Sequence, residues 1–302
     1  MTKNLISYWP STWLGSLMLW LCLTAAPIQA VEYPTTLAYH LATNAAAYAE
    51  GRTSSYPDFL VIKAPNSTQL DRLTNASWSH SFWLRGVHGL SATPIGFTNV
   101  LGAQGLPTMV SPRHYLFATH MHPEGYLTAF LDTNNVVHWR RTLQRVAVGG
   151  DTSVGILDED LPASVEFLPV LPKDYGDYLP ANPTNYLQGV GMNQDLYVFG
   201  QPMKFAGGWG FVSWDSGAMA PDGLSKNWNI AIRGGDSSNP EMLLIGNQLV
   251  LVSHNYTARG GPNYAYQMPA INQAMHLLST NNHVGTDYQL TEFPLTNWAK
   301  LR

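Results

Sequence analysis

From about residue 94 the chain breaks into short apolar runs separated by turn formers, and that punctuation confines it to a fold of short antiparallel strands. Tyr115-Leu116-Phe117-Ala118 follows the turn-like Ser111-Pro112-Arg113, and residues 126–131 and 136–148 flank Asp132-Thr133-Asn134-Asn135 as a hairpin would. Residues 154–157 form another run, and a Pro-rich loop extends from Leu161 to about Asn185. Residues 196–199 and 209–212 read as further strands. Residues 242–245 and 248–252, joined by Gly246-Asn247, carry a strong hairpin signal. The residues alone predict an all-β barrel or sandwich. Helical spacing returns near the two ends, in residues 34–49, with Leu37, His40, Leu41, Ala45 and Tyr48 at recurring positions, and in residues 271–279.

Composition agrees. Ten Trp, fifteen Tyr, 26 Gly and 20 Pro in 302 residues suit strands and tight turns, whereas only 12% charged residues argues against a helical bundle or coiled coil. An apolar content of 45% excludes wholesale disorder. The formal net charge of −4 offers no basic footprint for nucleic acid.

The single cysteine, Cys22, lies in a segment that reads as a secretory signal peptide. Lys3 supplies its charged start, residues 13–23 its apolar core, and Ala25 to Ala30 a small-residue exit, which places cleavage after Ala30. A membrane anchor is the competing reading, but the apolar run falls short of the ~20 residues a span needs, and Pro27 interrupts it. Leu21 also stands where a lipoprotein site at Cys22 would want a small residue. The expectation is an exported protein, secreted or periplasmic, with no stable membrane span after cleavage. Residues 31–302 contain no cysteine, so stability must come from packing without disulfides. Residues 31–93 are expected to form a partly helical N-terminal extension or pro-segment, followed by one domain over 94–302.

Gly235-Asp236-Ser237-Ser238-Asn239-Pro240 is the first candidate for chemistry. The hairpin follows at once, so Ser237 would sit on a tight turn entering a strand pair. Nucleophilic serine chemistry needs such a turn, with backbone N–H groups aimed at the developing oxyanion. His120 ends one strand, in Ala118-Thr119-His120, and Asp151 opens another, in residues 151–157.

These three motifs, in the order His, Asp, Ser, resemble the trypsin-like (chymotrypsin-fold) serine proteases over roughly residues 94–280. The resemblance implies a double six-stranded antiparallel β-barrel with a short C-terminal helix and a site in the cleft between barrels. It implies Ser237 as nucleophile, His120 as general base and Asp151 as the residue that orients the imidazole. Gly235 and Ser237 would supply the oxyanion-hole amides, and Ser253 and Asn255 the substrate-binding strand. The position six before the nucleophile is Ala231, so a small or apolar substrate side chain is expected in place of Lys or Arg. The implied function is a secreted endopeptidase that cleaves a polypeptide through an acyl-enzyme, with no cofactor and no metal.

The sequence departs from the family at four points. Ser238-Asn239 replace a Gly-Gly pair, and Met121 stands where a disulfide cysteine usually follows the histidine. No Ile-Val-Gly-Gly-like N-terminus is present, so Asp236 must find another partner. The interval from His120 to Asp151 is short, implying trimmed loops.

Other readings stay open. Gly, Asp, Ser, Asn and Pro are turn formers, so the hexapeptide also reads as a plain connection between strands. A catalytically inactive trypsin-fold binding protein and a secreted, aromatic-rich carbohydrate-binding sandwich are the competing functions. His120-Met121-His122, with His114 and Glu124, is the competing metal site, and Asp215-Ser216-Gly217 the competing nucleophile. Sequons occur at Asn66, Asn75 and Asn255, the last of which would place a glycan in the substrate pocket.

Overall fold

Two large antiparallel sheets and a separate two-stranded one make up the described β structure. The computed structural model of the protein describes residues 36–49, 60–62, 73–80, 82–97, 100–101, 105–121, 125, 127–180, 187–194, 196, 198–205, 211–214, 232–256 and 260–302. In chain order these contain α1 (Leu37–Ala49), β1 (Leu60–Ile62), β2 (Ala76–Trp78), β3 (Gly96–Phe97), β4 (Val100–Leu101), β5 (Thr108–Met109), β6 (His114–Ala118), β7 (Leu127–Leu131), β8 (Val137–Gly149) and β9 (Thr152–Leu157). Then come β10 (Leu187–Met192), β11 (Val198–Phe205), β12 (Phe211–Trp214), β13 (Pro240–Ile245), β14 (Gln248–His254), β15 (Gly260–Pro262) and α2 (Tyr264–Asn281). The described fold is therefore mostly β, with a C-terminal helix.

The first sheet runs β4-β3-β7-β8-β9-β6-β5 and the second β14-β13-β10-β11-β12-β15. With the two-residue β4 set aside, both are cuts through one circular order. Numbering the six strands of each sheet along the chain, that order is 1-2-3-6-5-4 and back to 1. The first sheet is open between its strands 1 and 2, the second between its strands 5 and 6. In the second, β14 and β15 still lie in contact across the gap.

β8 is long because it serves two neighbours. Its first part, Val137 to Arg141, pairs with β7, and the remainder pairs with β9 through two register shifts. Such bulges bend a strand and let a sheet curl. The β7–β8 turn is built on Asp132. Its Oδ1 accepts from the amides of Asn134 and Val136, both at 2.8 Å, and its Oδ2 bonds Ser164 Oγ at 2.7 Å and His138 Nε2 at 3.0 Å. Burial opposes the charge, but these bonds outweigh it and hold the carboxyl below its ordinary range.

The β13–β14 hairpin is buried on both faces, which is why its sequence is continuously apolar and not alternating. Met242, Leu244, Leu249 and Leu251 share one core with Leu116 and Ile156 of the first sheet and Ile271 and Met275 of α2. Leu243, Ile245, Val250 and Val252 share a second core with Leu37 and Leu41 of α1. Helix α1 also caps the hairpin turn: Gly246 N–H donates to His40 Nε2 at 2.9 Å, and Asn44 Nδ2 donates to the carbonyls of Leu244 and Gly246. Trp83 is buried, with its indole N–H donated to the Val198 carbonyl at 3.1 Å. Residues on both sides of position 93 thus pack into shared cores.

Helix α2 begins earlier than its periodicity suggests. The Asn263 side chain caps it by accepting from Ala265 N–H at 3.1 Å, and Pro269 lies inside it. Tyr264, Met268, Ile271, Met275 and Leu278 form the buried stripe. Among the described residues no helix is long and apolar enough to cross a membrane. The proposed signal peptide lies outside the described residues.

Candidate active site

Asp151 owes its position to a two-residue hairpin turn. Gly149 of β8 pairs with Thr152 of β9, leaving Gly150 and Asp151 as the loop, with φ of 60° and 61°. Positive φ at both positions is the signature of a type I′ turn, which matches the twist of the flanking strands. The turn then folds onto the end of β6. The Asp151 carbonyl accepts from Thr119 N–H at 2.8 Å, Oδ1 accepts from His120 N–H at 3.1 Å, and Oδ2 bonds His120 Nδ1 at 2.5 Å. With Nδ1–H given to the carboxylate, Nε2 keeps its lone pair, the tautomer that a general base requires. The imidazole is 45% exposed and the carboxylate 15%, so the ring reaches solvent while the carboxylate is largely shielded.

A residue outside the sequence expectation completes this corner. His254, at the end of β14, is fully buried and bonds the Tyr264 hydroxyl through Nδ1. Burial pushes its pKa down to about 3, opposed by the Asp151 backbone and reinforced by His120. It stays neutral behind the exposed pair. Its only sequence signal is a histidine at the end of an otherwise apolar run.

The turn bearing Ser237 is fixed from beneath. Asp236 is 0% exposed, and its carboxylate accepts from Gln194 N–H at 2.7 Å and Arg233 N–H at 2.8 Å. These backbone amides are the partners that the sequence left undefined. Asp236 N–H donates to the Arg233 carbonyl at 3.1 Å and Ser238 N–H to the Asn255 carbonyl at 2.8 Å. Among the described residues, the amides of Gly235 and Ser237 have no main-chain partner. Gly235 has φ of 100°, and Ser238 takes φ of 75°, a backbone region that favours glycine. Ser238 holds that unusual conformation with its own side chain: Oγ accepts from the buried Ala118 N–H at 2.8 Å. One hydrogen bond thereby ties the turn bearing Ser237 to the strand leading to His120.

Ser237 is partly exposed, and among the described residues no hydrogen bond joins its Oγ to His120 Nε2. The structure brings His120 and Asp151 into direct contact, and the Ala118–Ser238 bond ties the turn bearing Ser237 to the strand that leads to His120. The exposed Tyr256 ring lies edge-on to His120, 6.2 Å between centroids.

Ser253 and Asn255 are both buried. The Asn255 amide donates to the Asn239 carbonyl at 2.9 Å and its carbonyl accepts from Ser238 N–H, so its backbone braces the turn bearing Ser237. At 1% exposure its side chain has no room for a glycan in the folded protein. Ala231, His122, Glu124, Asn66 and Asp215-Ser216-Gly217 lie outside the described residues. His114 is a core residue held between Ser111 Oγ at 3.1 Å and Ser279 Oγ at 3.3 Å. Among the described residues no group of three metal-binding side chains converges. Compared with known proteins, the chain matches no family model and no curated sequence.

Proposed function

We propose that the protein is an exported serine endopeptidase of trypsin-like fold. The observation that carries this reading is the His120–Asp151 pair, held at 2.5 Å on a β-strand end that the adjoining turn of Ser237 also grips. The shared circular order of the two sheets supports a pair of six-stranded barrels with the site at their junction. In this reading His120 Nε2 accepts the Ser237 proton as Oγ attacks a substrate carbonyl, and Asp151 stabilises the resulting imidazolium. The tetrahedral oxyanion receives the amides of Gly235 and Ser237. His120 returns the proton to the leaving amine, and water then hydrolyses the acyl-enzyme by the same steps in reverse. A leader cleaved after Ala30 would deliver the chain to the secreted or periplasmic compartment.

A second reading, an inactive binding protein of the same fold, draws on Ser238 at φ of 75° and on the absence, among the described residues, of a Ser237–His120 hydrogen bond. Apo catalytic hydrogen bonds are often long, so that absence by itself does not favour it over catalysis. Incubation with unfolded casein separates the two. Wild-type protein that generates new peptide termini, with His120→Ala inert, supports the peptidase; intact casein with both supports the binding protein.

A further inference from the structure

A cavity of about 270 Å³ lies where the 78–91 segment meets the Thr133 turn and Glu166. None of its lining residues belongs to the His120, Asp151 and Ser237 constellation. The volume suits one ring-sized group and not an extended chain, since pockets for drug-sized ligands begin near ~300 Å³.

Trp78 and Phe82 supply aromatic wall. The Trp78 indole N–H is already donated to the Asp132 carbonyl at 2.7 Å, so its indole brings no hydrogen-bond donor to the wall. Glu166 supplies a fixed carboxylate. Its Oε2 accepts from Gly89 N–H at 2.7 Å and Ser91 Oγ at 3.2 Å, and its Oε1 bonds His88 Nδ1 at 2.9 Å. A carboxylate has about four lone-pair sites, so roughly one remains. Among the described residues the exposed Arg85 side chain donates once, to the His80 carbonyl at 3.3 Å, and keeps further N–H donors.

This combination selects a neutral ligand. An ammonium brings three donors to about one open acceptor site and meets Arg85, whereas a carboxylate or phosphate meets Glu166. A purely apolar ring leaves both charged groups without use. A ring with an apolar C–H face and hydroxyls at its edge satisfies the wall, the remaining Glu166 lone pair and Arg85 together. We infer that the cavity binds a single pyranose ring of a saccharide. The inference stands independently of the peptidase reading.

Saturation-transfer NMR on the purified protein tests it, with methyl glucoside, methyl galactoside, methyl mannoside and N-acetylglucosamine as probes and tetramethylammonium and benzoate as charged controls. The expected result is transfer to the ring C–H protons of at least one sugar, with neither control bound. Arg85→Ala, a surface change, should weaken that binding about tenfold through loss of a charged donor. Trp78→Ala should abolish it; should that variant fail to fold, Arg85→Ala remains the deciding measurement. Silence from all four sugars, binding unaffected by Arg85→Ala, or equal binding of a charged control would overturn the inference.

Discussion

Ala118 N–H donates to Ser238 Oγ at 2.8 Å, and this one buried bond links the strand leading to the candidate base to the turn carrying the candidate nucleophile. Ser238→Ala removes the acceptor, strands a buried amide and keeps a non-glycine residue at φ of 75°. It should destabilise the protein by about 1–3 kcal/mol. Ser238→Gly loses the same bond but relieves the backbone, so its cost should be about 1 kcal/mol smaller. Urea unfolding of the two variants checks the ranking, and a glycine variant less stable than the alanine one would contradict it.

Asp236→Ala should be more damaging. The carboxylate accepts two backbone amides with no exposure to water, and losing charge-assisted bonds of that kind costs about 3 kcal/mol or more. Asp236→Asn keeps an acceptor oxygen and should fall between Ala and wild type. Equal stability of all three proteins would show that the turn is held by something else.

The first sheet contains a close contact at Gly155. A Cβ there would overlap the ring of Tyr115, whose hydroxyl is fixed to Thr142 Oγ1 at 2.5 Å. Gly155→Ala should lower stability by about 1–3 kcal/mol, as overpacking does. Tyr115→Phe, which frees the ring tip, should reduce that penalty when the two changes are combined. Strict additivity in the double-mutant cycle would count against the contact.

Stability should fall on mild acidification. Burial lowers the pKa of His254 to about 3 and of His114 to about 4, against an unfolded value near 6.5, and it lowers His40 as well. A depressed histidine means that the unfolded chain binds the extra proton. The stabilisation is therefore complete above about pH 6.5 and is lost as pH drops toward the folded values. The slope approaches roughly 1 kcal/mol per pH unit for each buried histidine. Asp132, depressed from a carboxylate value, contributes its loss only at lower pH. Urea midpoints at pH 7, 6 and 5 should decline, and His254→Gln should flatten the decline; a constant midpoint would refute it.

The parts of the fold visible in sequence were those with strong local signals. Gly246-Asn247 between two apolar runs and Asp132 to Asn135 between β7 and β8 appear as hairpin turns where expected. Strand β10, with Gln188, Gly189 and Gly191 among its six residues, lacks the β-branched density that marks a strand and is held by β11 and β13 instead. Strand β15 is Gly-Gly-Pro, and only long-range pairing with β12 defines it. The His120 and Asp151 motifs stood out because each flanks a strong apolar strand, His120 just past β6 and Asp151 just before β9. The roles of Ser238, His254 and Tyr264 did not, because they arise where residues more than a hundred positions apart, or on different elements, meet. Both sequence departures after Ser237 have a structural setting: Ser238 bonds β6, and the Asn239 carbonyl accepts from Asn255 N–H.

The central claim is that Ser237 is an activated nucleophile, and a fluorophosphonate probe addresses it most directly. Wild-type protein should become covalently labelled on Ser237, and both Ser237→Ala and His120→Ala should lose the label, the rate falling by orders of magnitude as it does when a hydrolytic triad is broken. A folded wild type that takes no label, or a Ser237→Ala variant that still does, would contradict the assignment.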